Sequence, residues 1–155
     1  MNSGAHFSRC RQFRYALWRE WNVDQPSVLM IGLNPSTADA RRNDPTIRRC
    51  IGYARDWGYG GLWMLNLFAY RATYPADLKA ATDPIGPRND EWIRRVARKM
   101  QGVVAVWGND GAFMERSSRV CSMLGNRLEV IRVNAGGEPA HPLYLPNGLK
   151  PVKWR

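Results

Sequence analysis

Three polar side chains stand at or near the ends of apolar segments of the chain: Asn34, Asn66 and His141. A carboxamide such as Asn34 can hold a water or a polar ligand atom. One such as Asn66 can also read the edge of a nucleobase through its donor and acceptor together. An imidazole can donate to a leaving anion or bind a phosphate. These residue types predict a polar site that recognises a base or a phosphate.

Each of the three residues also has a purely structural interpretation. Asn34 is followed by Pro35, so it is equally suited to capping a helical turn that begins there. Asn66 lies in the apolar run WMLNLFAYR and can bond to neighbouring backbone. An unpaired buried amide costs about 1–3 kcal/mol, which favours a function for it. His141 lies in AHPLYLP and, taken alone, is better explained as a surface residue held by nearby prolines.

Arginine dominates the charge of the chain. The formal net charge is +10, and 19 arginines outnumber 4 lysines. Arg48 and Arg49 lie one turn into a predicted helix, in the motif DPTIRR. Because the guanidinium fork matches phosphate oxygens, we expect a nucleic acid, with DNA favoured, or a nucleotide as the partner. A solvated, arginine-rich surface is the alternative interpretation.

No motif indicates a metal or a cofactor, and we expect neither. The sequence has no phosphate loop and no dinucleotide fingerprint, and its three cysteines have neither ligand spacing nor a disulfide framework. The few carboxylates near the predicted strand ends are Asp39, Asp44 and Asp110. No apolar run approaches the ~20 residues of a membrane span, no signal peptide is evident, and the cysteines suit free thiols, so we expect a cytoplasmic protein without membrane contact. We also expect it to be a monomer.

The elements that must position these side chains are read from apolar runs and capping residues. Predicted strands are Ser27–Leu33, Leu62–Phe68, Val103–Trp107 and Leu128–Val133. Predicted helices are Asp44–Trp57, Asn89–Met100 and Gly111–Leu124. Phe13–Trp21 suits a lead-in strand or hairpin, Tyr74–Pro87 a loop with one helical turn, and Asn134–Arg155 an irregular tail. We expect one domain over residues 1–155, with residues 1–10 mobile.

The alternation of strands and helices predicts an α/β fold. We expect a three-layer α/β/α sandwich whose four-stranded sheet is parallel, with a possible N-terminal β-hairpin. In such a sheet ligands bind beyond the carboxyl ends of the strands. The predicted strands end at Asn34-Pro35-Ser36, Asn66, Gly108-Asn109-Asp110 and Asn134, which leads to His141. We therefore expect these groups to surround one pocket.

Five motifs together resemble a known family. MIGLNPSTAD, DPTIRRC, GYGGLWMLNLFAYRAT, VWG and HPLYLP closely resemble an uncharacterised family of bacterial and phage proteins, catalogued as domain of unknown function 1643. The resemblance extends from about Arg14 to Tyr144 and implies no established activity.

A more distant resemblance is to the uracil-DNA glycosylase superfamily. Gly32-Leu33-Asn34-Pro35 is similar to its first motif, and Leu65-Asn66 to the strand end whose Asn reads uracil. Trp107-Gly108 is similar to its third strand end, and His141-Pro142-Leu143 resembles its last motif, His-Pro-Ser. The Ser is replaced by Leu143, which removes a hydroxyl that would hold a phosphate. DPTIRR and Asp39 have no counterpart there.

The resemblance implies a set of roles. Asn34 would position the attacking water and His141 would stabilise the departing base anion. The residues implied in binding the base are Gly32, Leu33, Asn66 and Phe68, the last by stacking. Those implied in holding phosphates or DNA are Ser36, Arg48, Arg49, Arg71 and Tyr144. Leu143, Tyr144 and Leu145 are candidates for an apolar wedge between bases.

The sequence analysis therefore favours a glycosylase-like protein that hydrolyses the N-glycosidic bond of a modified or mismatched pyrimidine. Such a reaction needs stabilisation of a leaving anion more than a strong nucleophile, and a base flipped out of the stack. One alternative is a module that binds a nucleobase, nucleotide or DNA without cleaving it. Another is an enzyme that acts on a free modified nucleotide, with Arg48, Arg49 and Arg71 on its phosphates.

Overall fold

The structure is a computed structural model that describes residues 1–154. Its strands are β1 (Asn2–Phe7), β2 (Arg14–Glu20), β3 (Ser27–Gly32), β4 (Gly61–Asn66), β5 (Gly102–Ala105), β6 (Leu128–Val130) and β7 (Val152–Lys153). Its α-helices are α1 (Pro45–Asp56), α2 (Pro75–Ala80), α3 (Asn89–Lys99) and α4 (Arg116–Leu124). Short 3-10 segments cover Asn109–Glu115, Gly125–Arg127 and Pro142–Tyr144. The fold is thus mixed α/β, as the alternation of elements predicts.

The seven strands form one sheet in the order β1-β2-β4-β3-β5-β6-β7. β3 pairs in parallel with β4 and with β5, and β5 pairs in parallel with β6. β1, β2 and β7 extend this group by antiparallel pairing. The sheet is therefore mixed and larger than the four-stranded parallel sheet that the apolar runs predict.

β1 and β2 form an N-terminal β-hairpin, which the sequence analysis gives as a possibility, but β1 and β7 lie in segments expected to be mobile or irregular. Residues 2–7 are predicted to be mobile, yet they pair with β2 from Asn2 opposite Glu20 onward. Gly4 makes this pairing possible, because a β-carbon there would come within 2.3 Å of the Trp18 ring. β7 lies in the tail that is predicted to be irregular, and it pairs with β6. Pairing with a partner strand, rather than an apolar pattern of their own, holds both segments in the sheet.

Helices cover both faces of the sheet. One core contains Leu29 and Ile31 of β3 with residues of α2, α3 and α4, and the other contains Val28 and Met30 of β3 with residues of α1. Successive residues of a strand point to opposite faces, so the continuous apolar run of β3 fills both cores. None of the helices in residues 1–154 is long and apolar enough to cross a bilayer.

Helix α1 begins as its sequence predicts. Asp44 Oδ1 accepts a hydrogen bond from the backbone N–H of Ile47 at 2.8 Å, and Pro45 occupies the first turn. By contrast, the single helix predicted over Gly111–Leu124 is wrong. Met114 and Glu115 have left-handed backbone angles, φ 53° and 55°, and α4 begins only at Arg116.

Gly52 of α1 is exposed, and a β-carbon at this position would meet no atom within 4 Å. We expect Gly52→Ala to raise the free energy of unfolding by about 0.5–1 kcal/mol, because glycine has a larger conformational entropy to lose in a helix. Urea unfolding monitored by circular dichroism measures this. An unchanged or lower free energy of unfolding would show that this turn of α1 is not helical in solution.

The strands that follow β3 in the chain are added to the sheet first on one side of β3 and then on the other. β4 follows β3 in the chain and lies on one side of it, whereas β5 lies on the other side. In open α/β sheets such a point leaves a crevice at the carboxyl ends of the two strands that diverge. The chain leaves β3 and β5 through Leu33-Asn34 and Val106-Trp107, which are therefore placed beside the crevice.

Candidate functional site

A cavity of about 760 Å³ occupies this crevice. Residues 32–37, 44–47 and 106–110 line it, together with parts of the segments 72–75 and 141–144. Its volume lies within the range of small-molecule sites and is sufficient for a nucleotide. Asn34 and His141, which follow β3 and β6, and Asn66, which ends β4, all line this one cavity.

Asn34 is held by backbone carbonyl groups of the cavity wall. Its Nδ2 donates to the carbonyl of Ala72 at 2.7 Å and to that of Pro35 at 3.1 Å. Its side chain therefore does not act as the helix cap that is the structural alternative for this residue. With both amide hydrogens used, Oδ1 remains as an acceptor, the group that can hold a water through one of its hydrogens.

Asn66 ends β4 and is almost fully buried. Its Oδ1 accepts from Nη2 of Arg14 at 3.2 Å, and its backbone carbonyl accepts from Nδ2 of Asn89 at 2.8 Å. Because a guanidinium can only donate, the amide must turn its oxygen toward Arg14 and leave Nδ2 as the group available to a ligand. Of the donor and acceptor expected to read a base together, the acceptor is thus already engaged by Arg14, and the donor has no such partner in residues 1–154.

Gly32 keeps the space beside this amide open. A β-carbon at residue 32 would come within 3.0 Å of Asn66 Nδ2 and within 2.8 Å of Met64 Cε. The absence of a side chain at this position lets a ligand approach the backbone and the Asn66 amide together.

His141 begins the short segment Pro142–Tyr144, and its ring belongs to the cavity wall. Nδ1 accepts from the backbone N–H of Leu143 at 3.2 Å, so the neutral ring carries its proton on Nε2. Burial lowers the pKa of His141 below its ordinary value of 6.5, partly offset by the negative charge of Asp44. The ring is therefore a neutral donor at pH 7.

The end of β5 holds this histidine in place. Gly108 has φ 77° and donates its N–H to the carbonyl of Pro139 at 2.9 Å. Glu138 Oε1 accepts from Trp107 Nε1 at 2.9 Å and from Ser117 Oγ at 2.8 Å. These bonds tie the tail to β5 and α4 and fix the position of His141 relative to the cavity.

The lowered pKa of His141 makes stability depend on pH. The unfolded chain takes up the proton near pH 6.5, whereas the native state resists it until a lower pH, so acidification through this window lowers the free energy of unfolding. We expect His141→Gln to lose less stability than the wild type between pH 7.5 and pH 5. Urea unfolding at the two pH values measures this. His6, the other histidine, is present in both proteins, so its contribution cancels in the comparison. An equal loss in both proteins would contradict the neutral, half-buried imidazole.

Arg14 is a cavity residue that the sequence analysis missed. It begins β2, is 2% exposed and lines the cavity. Its Nη1 donates to the carbonyl of Ala38 at 3.1 Å, and its Nη2 donates to Asn66. Desolvation lowers the pKa of Arg14 to about 10, so the side chain stays charged at neutral pH. Its place among the aromatic residues of FRYALWREW, a segment with two further charged residues, is the only signal of it in the sequence.

The other residues expected at the site fall into two groups. Gly32, Leu33, Ser36 and Tyr144 line the cavity. Phe68, Arg48, Arg49 and Arg71 do not line it.

Phe68 does not have the stacking position expected for it. It lies two residues beyond β4, is fully buried in the core, and has its ring centroid 5.5 Å from that of Phe113. The aromatic residues that line the cavity are Trp107 and Tyr144, which is 86% exposed. Of these two, Trp107 is only 1% exposed, so Tyr144 is the accessible aromatic side chain.

Arg48 and Arg49 line a second groove that adjoins the cavity. Pro45 and Leu143 contribute to both concave surfaces, so the two share a rim. Arg48 is exposed, whereas Arg49 donates from Nη2 to the carbonyl of Leu145 and holds the tail against α1. Arg71 lies in a third, shallow groove, where its guanidinium stands 4.7 Å from the Phe7 ring.

Three carboxylates near the site have partners within the protein. Asp44 lines the cavity and uses Oδ1 to cap α1. Asp110 also lines it and forms an exposed ion pair with Lys79 at 3.1 Å. Asp39 accepts from the backbone N–H groups of Arg41 and Arg42, which lower its pKa.

Comparison with known proteins identifies one family. A family model described as protein of unknown function (DUF1643) matches residues 14–143. No curated protein and no solved structure matches the chain.

Proposed function

The chain belongs to the DUF1643 family, and from the geometry of its cavity we propose that it hydrolyses the N-glycosidic bond of a modified or mismatched pyrimidine in DNA. One observation carries this proposal. Asn34, Asn66 and His141 line one cavity, and each has one polar group without a hydrogen-bond partner among residues 1–154. These groups are an acceptor, Oδ1 of Asn34, and two donors, Nδ2 of Asn66 and Nε2 of His141.

These groups match the needs of the reaction. The bond between the base nitrogen and C1′ breaks, and its electron pair leaves with the base. Nδ2 of Asn66 and the Nε2–H of His141 would donate to base oxygens as negative charge develops on them. Oδ1 of Asn34 would hold the water that bonds to C1′. The water gives up a proton as it adds, and the departing base anion takes one from solvent, so the products are a free base and an abasic sugar.

The surface around the cavity supports a polymer as the substrate. Leu143 and Tyr144 are 46% and 86% exposed at its rim, where an apolar or aromatic side chain can fill the gap left by an extruded base. The groove beyond Leu143 presents the exposed Arg48. With a formal net charge of +10, the protein would be drawn to a phosphate backbone.

Arg48 offers a direct test of this backbone path. We expect Arg48→Gln to weaken binding to duplex DNA of any sequence and to reduce the slope of log K against log salt by about one, because each neutralised phosphate contributes about that amount. Fluorescence anisotropy at several salt concentrations measures both. Arg94→Gln, an equally exposed arginine on α3, serves as the control. Equal slopes for the two variants would mean that the backbone does not cross this groove.

The experiment that tests the proposed reaction uses labelled oligonucleotides, both duplex and single-stranded. They carry uracil, G·T mismatches or modified pyrimidines, and alkaline cleavage detects abasic sites. We expect the wild type to cleave at least one of them. Asn34→Ala and His141→Ala should lose about 100-fold or more in rate, which is the usual effect of removing one group that stabilises developing charge.

Matched variants away from the cavity control for non-specific effects. Asn126→Ala alters an exposed amide at the amino end of β6, and His6→Ala alters the other histidine. Both should retain wild-type rates. Salt-sensitive DNA binding without an abasic product in any oligonucleotide would instead identify a protein that reads bases without cleaving them.

A further inference from the structure

Three arginines in residues 1–154 are buried, and Arg14 is the one that has neither an ion pair nor a full set of hydrogen bonds there. Arg116 pairs with Asp90 at 2.7 Å. Arg19 places its donors on one amide oxygen and four backbone carbonyls. Arg14 has two partners, the carbonyl of Ala38 and the amide of Asn66, and its buried Nε has no acceptor within the described chain.

The surroundings of Arg14 leave its charge uncompensated. No carboxylate of the described residues lies within 4.0 Å of its guanidinium, although Asp44 acts on it from further away. Arg71 and Arg19 add repulsion. A buried cation without a counter-charge is costly, and of the three buried arginines Arg14 is the one that lines the cavity. An anionic ligand in the cavity would supply the missing charge.

We propose that Arg14 and Asn66 form an anion subsite that binds a pyrimidine ring in its anionic form. Arg14 fixes the Asn66 amide so that Nδ2 points to an acceptor of the ligand, and its positive charge favours negative charge on that acceptor. The choice of a ring rests on the proposed function, in which the base leaves the sugar as an anion. Arg14 is thus a positioning residue that acts on the base through Asn66.

The walls of the cavity fit a ring better than a tetrahedral anion. Leu33, Met64, Val106 and Trp107 provide apolar surface, and Gly32 keeps the approach to Asn66 free of a side chain. Apolar walls with few directed polar groups are typical of sites for flat organic ligands. Phosphate groups have a more accessible partner in Arg48, outside the cavity.

Calorimetric titration of the full chain with free bases tests the subsite. Barbituric acid is an anion at neutral pH, and uracil has the same six-membered ring but is neutral. We expect barbiturate to bind the wild type about tenfold or more tightly than uracil, because charge-assisted hydrogen bonds are roughly twice as strong as neutral ones. Equal affinities for barbiturate and uracil would overturn the proposal. So would inorganic phosphate, if it displaced bound barbiturate at a concentration equal to or lower than the concentration of uracil that does so.

Two substitutions locate the preference at Arg14. Arg14→Met should remove it, so that barbiturate and uracil bind alike, whereas Arg14→Lys should retain part of it through the remaining charge. A preference unchanged in a folded Arg14→Met protein would overturn the assignment. If Arg14→Met does not fold, Arg14→Lys decides the matter, because lysine cannot orient the Asn66 amide in the same way. A preference of Arg14→Lys for barbiturate over uracil equal to or above that of the wild type would then overturn the assignment.

This measurement involves no strand cleavage, so its outcome is independent of the hydrolase assay. A barbiturate preference in a protein that releases no base would support the subsite and refute the proposed reaction. Base release by a protein without the barbiturate preference would support the proposed reaction and refute the subsite.

Discussion

Asn66→Asp is expected to lower both the rate of base release and the affinity for an anionic base by about 100-fold or more. The same substitution should raise the free energy of unfolding. The substitution replaces the donor Nδ2 with a second carboxylate oxygen, which repels the developing charge on the base. Loss of one such donor in a water-excluded site typically lowers the rate by about 10²–10³. The new carboxylate also stands 3.2 Å from Nη2 of Arg14 and pairs a cation that is already buried.

This combination of effects distinguishes a functional amide from a structural one. If Asn66 served only to hold the strand end, adding a charge would leave activity largely intact or unfold the protein. Rates with the best oligonucleotide substrate and urea unfolding of the same preparation give both quantities. Asn126→Asp provides the matched control at an exposed site. Activity within tenfold of the wild type in Asn66→Asp would mean that Nδ2 does not contact the base.

Arg19→Met is expected to have the largest effect on stability, a loss of about 3 kcal/mol or more. Arg19 is 1% exposed, and its donors reach Asn43 Oδ1 and the carbonyls of Gly4, Trp18, Asp39 and Arg42. Methionine fills most of the volume but leaves these acceptors without a partner, and an unpaired buried group costs about 1–3 kcal/mol. The substitution would remove the hydrogen bonds that link β2 to β1 and to the segment before α1.

The same substitution should also impair the site. The segment that Arg19 holds leads directly to Asp44, which caps α1 and lines the cavity. Urea unfolding and DNA binding measured at a temperature where the variant remains folded test both effects. Arg94→Met, on the exposed side of α3, should change the free energy of unfolding by less than about 0.5 kcal/mol. A change as small as this in Arg19→Met would contradict the role assigned to its hydrogen bonds.

Elements with strong local signals were predictable from the sequence. The apolar run of β3 and the Asp44-Pro45 cap of α1 identify those elements within a residue or two. The alternation of strand and helix gives the α/β class. Five motifs identify the family, which the match over residues 14–143 confirms. In these segments local preference and tertiary packing favour the same structure.

Features that depend on long-range contacts were not predictable. β1 has no apolar alternation of its own. It is a strand because it pairs with β2 and because Gly4 lets it pack against the ring of Trp18. The turn at Met114 and Glu115 interrupts an apparently continuous helix after Gly111, where any side chain would strike the ring of Trp107. For β1 a pairing far along the chain overrides the local pattern, whereas at Gly111 the contact is with Trp107, four residues earlier.

The candidate site shows the same division. Strand ends direct Asn34 and Asn66 to one edge of a parallel sheet, and this follows from topology. The burial of Arg14 follows from β2 lying between β1 and β4 in the sheet, an arrangement that the sequence does not indicate. For the same reason the sequence could not show that Arg14 engages the Asn66 oxygen, nor that Phe68 packs into the core.

The most direct test of the central claim is to measure free base and abasic sites together in a single turnover with excess protein. Mass spectrometry would quantify the released base, and alkaline cleavage the abasic sites, in the oligonucleotide that the wild type cleaves best. The proposed hydrolysis predicts equal amounts of the two products, both lost in Asn34→Ala. Bound oligonucleotides that release no base, across uracil, mismatched and modified pyrimidines, would contradict it.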